Sequence, residues 1–220
     1  RQINKTMSEQ ALRMLEPWYE LDHYGHKILS VIDDNGDSLR YMIDQTTMRV
    51  ELPQPLKPGE TFVFHIEWYY NLINRVNTVS WGRGGYEPFE KDGNDLYTIV
   101  QWFPRLCVYN DATGWQNKQF VGRGEFALQF GNYVVKITVP EDHVVGATGE
   151  CLNYAQVLSP ERYQRWKMAQ TAKEPVEIVT LEEAVKAEKN KNQKGTKTWI
   201  YKADNVRDFA WTSSRKFVWD

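Results

Sequence analysis

The sequence predicts a mainly β protein, an antiparallel, sandwich-like domain carrying a short helical insertion at about 159–190. Three observations carry this. Apolar residues recur at every second position from His26 to Tyr70 and again from Tyr133 to Val139, the period of a half-buried strand. Turn-forming clusters, Asp33-Asp34-Asn35-Gly36-Asp37 and Pro53-Gln54-Pro55-Leu56-Lys57-Pro58-Gly59, punctuate those runs. The two clearest helix starts, Ser159-Pro160 and Thr180-x-x-Glu183, fall close together.

Residues 1–25 form a segment apart. Thr6-x-x-Glu9 has the form of a capping box, with Ala11, Leu12 and Leu15 along one helical face that stops before Pro17. From 26 onward the chain reads as one β domain, 26–220. Ile28, Ser30 and Ile32 alternate with Leu29 and Val31, and after Asn35-Gly36 come Leu39, Tyr41 and Ile43. This predicts a hairpin with a type I′ turn, which needs positive φ at both central residues. The acidic cluster lacks the distal Glu of a calcium loop.

Met48 to Leu52 predicts a third strand, ended by prolines that cannot donate ladder hydrogen bonds. In the next, Phe62, Phe64, Ile66, Trp68 and Tyr70 share the core face and His65 lies on the wetter one, as a surface residue. Residues 74–94 read as irregular. Their glycines, around Trp81-Gly82-Arg83-Gly84-Gly85, do not make a phosphate loop, because no G-x-x-x-x-G-K-[ST] is present.

The chain is organised around 95–151. A strand-like run, Leu96 to Gln101, enters a loop with Trp102, Phe103, Pro104, Asn110, Asp111, Gly114 and Trp115. Loops longer than about 12 residues in compact domains are usually functional. Beyond it, Phe126, Leu128 and Phe130 are even-numbered, whereas Tyr133, Val135, Ile137 and Val139 are odd. Since a one-residue slip exchanges the faces of a strand, Gly131-Asn132 is predicted to be a bulge.

A helical insertion at 153–196 follows. Ser159 is its N-cap with Pro160 at the first helical position, and Thr180 and Glu183 form a second start. Trp199 to Ala203 and Val206 to Thr212 read as closing strands around Asp204-Asn205.

Composition bounds the function. Lys and Arg number 27 against 29 Asp and Glu, so no excess positive charge marks the chain for nucleic acid. No run of about 18 apolar residues offers a membrane span. The chain begins Arg1-Gln2-Ile3, without Met, and reads as a processed or trimmed product. Cys107 and Cys151 are too few for a disulfide framework; one bridge and two buried thiols are the alternatives. Nine Trp and twelve Tyr suit packed strands, interfaces or sugar-binding faces.

Four blocks carry a family resemblance: Tyr97-Thr98-Ile99-Val100-Gln101-Trp102-Phe103-Pro104-Arg105, Gly124-Glu125-Phe126, Val135-Lys136-Ile137-Thr138-Val139-Pro140 and Ala147-Thr148-Gly149-Glu150. With Leu39-x-Tyr41-x-Ile43 and Leu52-x-x-Pro55-Leu56-x-Pro58-Gly59-Glu60 before them and Trp199-x-Tyr201-x-Ala203-Asp204-Asn205-Val206-Arg207-Asp208-Phe209-Ala210-Trp211 after, the chain resembles the N-terminal domain of the aminopeptidase N-like zinc metallopeptidases, the gluzincin aminopeptidases, over about 26–220. It looks like a bacterial branch, since Phe103-Pro104 is followed by Arg105-Leu106-Cys107 rather than the common Cys-x-Asp-Glu-Pro. The family's first strands have no counterpart here.

The resemblance implies a saddle-shaped β domain that packs on its own C-terminal catalytic domain. Zinc would be held there, by H-E-x-x-H and a further Glu. The four histidines here, His23, His26, His65 and His143, are followed by Tyr, Lys, Ile and Val, and no G-x-M-E-N is present. The implied role is therefore non-catalytic, with no metal in this chain. Relatives touch the N-terminus of the peptide substrate through a Gln or Glu of this domain. Gln101 is the candidate here and Glu87 the second choice, since an amide or carboxylate accepts hydrogen bonds from ammonium. The bland alternative is that Gln101 satisfies backbone groups at a strand end. The family also leans toward an extracytoplasmic bacterial location. Two other functions remain open: a carbohydrate-binding sandwich with Trp81, Trp102 and Trp115 as platform, and a protein adaptor using the aromatic loop.

Overall fold

The computed structural model describes residues 24–76, 83–119, 127–190 and 194–220. The expected N-terminal helix, Trp81 and the Gly124-Glu125-Phe126 block lie outside them. The elements run β1 (Lys27–Asp33), β2 (Tyr41–Asp44), β3 (Thr47–Val50), β4 (Phe64–Tyr69), β5 (Gly85–Phe89), β6 (Asn94–Ile99), β7 (Tyr109–Asn110) and β8 (Gly114–Trp115). They continue with β9 (Gly131–Pro140), β10 (Val144–Ala147), β11 (Glu150–Cys151), α1 (Tyr154–Val157), α2 (Pro160–Ala169), α3 (Leu181–Lys189), β12 (Thr196–Val206) and β13 (Trp211–Ser214). Among the described residues the chain is mainly β, the strand pairs are antiparallel, and three helices sit between β11 and β12. It divides into two compact units, Arg1–Leu72 with Cys107–Ala127 and Ile73–Leu106 with Leu128–Asp220.

In the first unit β1 pairs with β4, β2 with β3 and β7 with β8. The expected type I′ hairpin is replaced by a different turn. Gly36 N–H donates to Asp33 O at 3.1 Å, Asp33 N–H to Asp37 O at 2.9 Å, and of the turn residues Gly36 takes positive φ, +89°. That is a type I turn with a glycine bulge. The Asp33 carboxylate selects it by accepting the N–H groups of Asn35 and Asp37 at 2.9 and 3.0 Å, which keeps Asn35 out of the left-handed region. Only Ser38 and Leu39 then bond back to β1, while β2 turns onto β3. A second bulge, at Leu29, places Ile28 and Val31 opposite Trp68 and Ile66 on one face and leaves Leu29 58% exposed. The alternation expected in β4 holds for Ile66, Trp68 and Tyr70, which are only half-buried, whereas Phe64, placed on the same core face, is exposed. His65 is an exposed surface residue, 3.3 Å from the Asp34 carboxylate.

The second unit holds the main core. A four-stranded sheet, β10-β13-β6-β5, and a three-stranded sheet, β11-β12-β9, share one apolar cluster that includes Ile137, Val139, Val145, Trp199, Tyr201 and Phe209. Tyr201 bridges the two sheets, its hydroxyl donating to Val145 O at 2.8 Å. Residues 85–89 are a strand, not irregular chain as the sequence suggested. Gly85 and Pro88 are poor strand formers, but β5 lies at the sheet edge, where proline's missing N–H costs no ladder bond.

The predicted bulge exists, with its extra residue on the other strand. Ala203 pairs with Tyr133 and Val206 with Gly131, so Asp204 and Asn205 of β12 together face Asn132 of β9. Asn205 takes φ +55°, and β12 runs through to Val206 where the sequence suggested a break between two strands. Phe130 lies before β9, so the slip in numbering marks the start of the strand.

The helical insertion follows its caps. Ser159 Oγ accepts Arg162 N–H, and Thr180 and Glu183 bond each other's backbone N–H groups reciprocally. Glu183 also receives Arg165 Nη2 at 2.6 Å, which joins α2 to α3. The segment contributes Val157, Leu158, Ile178 and Val179 to the core. Asn153, at its entrance, bonds β12 as a neighbouring strand would, giving Nδ2–H to Thr198 O and accepting Ile200 N–H, both at 2.9 Å.

Candidate functional site

Gln101 lies two residues past the end of β6 and takes φ +51°, in the left-handed region. Its side chain is exposed. The next residues are pinned. Trp102 Nε1–H donates to Phe209 O at 3.0 Å, its ring lies 4.9 Å from that of Phe103, and Phe103 meets the edge of Tyr133 at 5.8 Å. Arg105 holds Asp208 at 2.8 Å. Aromatic packing and a strained backbone thus fix where Gln101 projects.

Glu87 stands on β5 opposite Leu96 of β6. Its carboxylate accepts Arg75 Nη1 at 2.6 Å, so a cation already occupies it. Gln101 lies five positions beyond Leu96, about 16 Å along an extended chain at the usual rise per residue.

The other half of the aromatic loop belongs to the first unit. Tyr109 and Trp115 face each other across β7 and β8 at 5.2 Å, edge to face, and both are more than half exposed. Asn110 Oδ1 shapes the tip by accepting the N–H and hydroxyl of Thr113. Of the aromatic platform considered from sequence, Trp102 is committed to Phe209 and Trp115 to Tyr109. Cys107 and Cys151 are free thiols; Cys107 is half-buried, and burial pushes the Cys151 thiol up.

A buried polar corner escaped the sequence analysis. His143, 5% exposed, ends the turn after β9, its N–H donating to Pro140 O at 3.0 Å. Its Nδ1 is hydrogen-bonded to Ser213 Oγ at 2.9 Å, and Ser213 is 1% exposed. Burial lowers the imidazole's proton affinity, opposed by Asp142, while Arg215 and Lys197 lower it further and Asp95 raises it. Lys197 itself is pushed down to about 8, chiefly by burial and then by Arg162. Its Nζ donates to Val157 O at 3.1 Å and lies 5.0 Å above the Trp199 ring. Nothing in the local sequence signals this corner, because His143 and Ser213 are seventy residues apart.

No grouping of three or more His, Cys, Asp or Glu that could hold a metal occurs among the described residues. Of the described histidines, His65 lies 3.3 Å from Asp34, His143 is hydrogen-bonded to Ser213, and His26 packs 5.1 Å from the Tyr70 ring. No helix among the described residues is long and apolar enough to cross a membrane. Comparison of the chain with protein-family models, with curated proteins and with solved structures found no match.

Proposed function

We propose that this chain is the non-catalytic β domain of an aminopeptidase N-like zinc metallopeptidase, packing on a catalytic domain and helping to wall its substrate cleft. The observation that carries the reading is the placement of the family-like blocks. Tyr97-Thr98-Ile99 lies on β6, Val135 to Pro140 on β9, Ala147 on β10, Glu150 on β11, Trp199 to Ala203 on β12 and Trp211 on β13. Segments scattered through the chain are thus strands of two sheets around one core. In the other unit, Tyr41, Met42, Ile43, Tyr69, Tyr109 and Trp115 are exposed. So many large apolar side chains at a surface favour a protein interface.

Within this reading Gln101 is the residue offered to the substrate's N-terminus. Its side chain is exposed, whereas Glu87 is engaged by Arg75. Zinc and the hydrolytic step belong to the catalytic domain, and the residues here supply walls and a hydrogen-bond acceptor. The test compares this chain with the product of its uninterrupted natural reading frame. The expected result is that the longer product contains H-E-x-x-H, binds zinc and cleaves an aminoacyl reporter while residues 1–220 alone do not. Zinc-dependent cleavage by the 220-residue chain, or a frame without that motif, would overturn it.

A further inference from the structure

We propose that the His143–Ser213 hydrogen bond is an acid-sensitive latch, and that protonating His143 loosens the turn between β9 and β10 and the first residues of β10 while the rest of the unit stays folded. The geometry suits a neutral imidazole. One ring nitrogen is engaged by Ser213 Oγ at 2.9 Å, inside a corner closed to water. A second ring proton needs a second acceptor, and a buried charge without one is costly.

Two carboxylates raise the ring's proton affinity. Asp142, on the same turn, lies 3.2 Å from Arg215 Nε, just beyond β13, and is buried with no hydrogen-bond donor on either oxygen among the described residues. Asp95, on β6, accepts the Tyr97 hydroxyl at 3.1 Å, and the Tyr97 ring stands 6.0 Å from the imidazole. Arg215 and Lys197, the latter on β12, add positive charge to the same corner. An incoming proton therefore meets two cations, and Asp142 offsets them only in part, since burial still outweighs it.

The response should be local because β10 is a four-residue edge strand whose ladder partner among the described residues is β13, from Val144 opposite Ser214 to Ala147 opposite Trp211. Its other tether is the Tyr201 hydroxyl on Val145 O. The β9–β12 ladder does not depend on His143. This inference is independent of the proposed enzyme family.

The experiment is amide hydrogen exchange, corrected for intrinsic rates, on the full chain from about pH 7.5 to 5, the span in which histidine titrates. In the wild type, protection over 141–147 should fall by about tenfold or more, the change that one unit of pKa difference gives. Protection in β9 and β12 should hold. His143→Gln keeps a polar partner for Ser213 and cannot titrate, so its 141–147 protection should be flat with pH. Should that variant fail to fold, the wild-type imidazole resonance decides, since it must titrate below the ordinary histidine value, at the low-pH end of the loss of protection. A flat wild-type profile, an equal pH response in His143→Gln, a resonance out of step, or simultaneous loss of β12 protection would each overturn the latch.

Discussion

The side-chain oxygen of Asn132 accepts the backbone N–H of Asn205 at 2.9 Å, so the single β9 residue facing the β12 bulge fills the gap that the bulge opens. Asn132→Ala should destabilise the chain by about 1 kcal/mol, the value of one such bond. Asn205→Gly should be near neutral, because φ +55° suits glycine, and Asn205→Val should cost more than either. Urea unfolding of the three variants checks the order.

Asn153 serves β12 where β11 has ended, through Thr198 O and Ile200 N–H. Asn153→Ala leaves two half-buried backbone groups without these partners and should cost about 1–3 kcal/mol. Asn153→Asp keeps the acceptor for Ile200 but loses the donor for Thr198, and should fall between alanine and wild type at neutral pH. Thermal unfolding of the pair measures the difference.

At Glu183, partial burial raises the carboxyl, but the hydrogen bond from Arg165, the Thr180 N–H and the charges of Arg162 and Arg165 outweigh it and hold the group at about 2, against an ordinary 4.5. Its stabilising contribution is therefore present above pH 4.5 and is lost as pH falls through about 2. Glu183→Gln should lower stability by about 1 kcal/mol at neutral pH and match the wild type near pH 2. Circular dichroism of the helical signal against pH follows both.

Lys197 has the opposite sense. With a folded value of about 8 against 10.5, the folded state holds fewer protons between those limits, so stability rises with pH across the window and the cost of burial is full below 8. Lys197→Met should be more stable than wild type by about 1 kcal/mol at pH 7, with the advantage shrinking toward pH 10.5. An advantage unchanged across that range would contradict the assignment.

Gly149 takes φ +87°, and a Cβ there would overlap the Lys202 carbonyl. Gly149→Ala should cost about 3 kcal/mol or more, because the obstruction is backbone and cannot turn aside. Expression yield and melting temperature report it.

The features legible in the sequence are those whose physics is local. Ser159-Pro160 and Thr180-x-x-Glu183 announce helix starts because capping needs only three residues. The alternation in β9 and β12 likewise announces strands. Features that depend on a distant partner were displaced or missed. The slip at Gly131-Asn132 is visible on one strand, whereas the extra residue sits on another. The Asn-Gly signal lost to the neighbouring Asp33 carboxylate, which fixes a different turn. Gln101 is singled out by a motif-like block alone, while the His143 contact comes to light only because β13 brings Ser213 beside it.

Thr138 of β9 and Thr198 of β12 join hydroxyls at 2.8 Å although sixty residues separate them. During synthesis, then, β9 leaves the ribosome well before the strand that shields it, and Val135, Ile137 and Val139 wait uncovered while the helices are made. The nascent chain is most open to chaperone capture in that interval, and a pause in translation across the helical segment would prolong it.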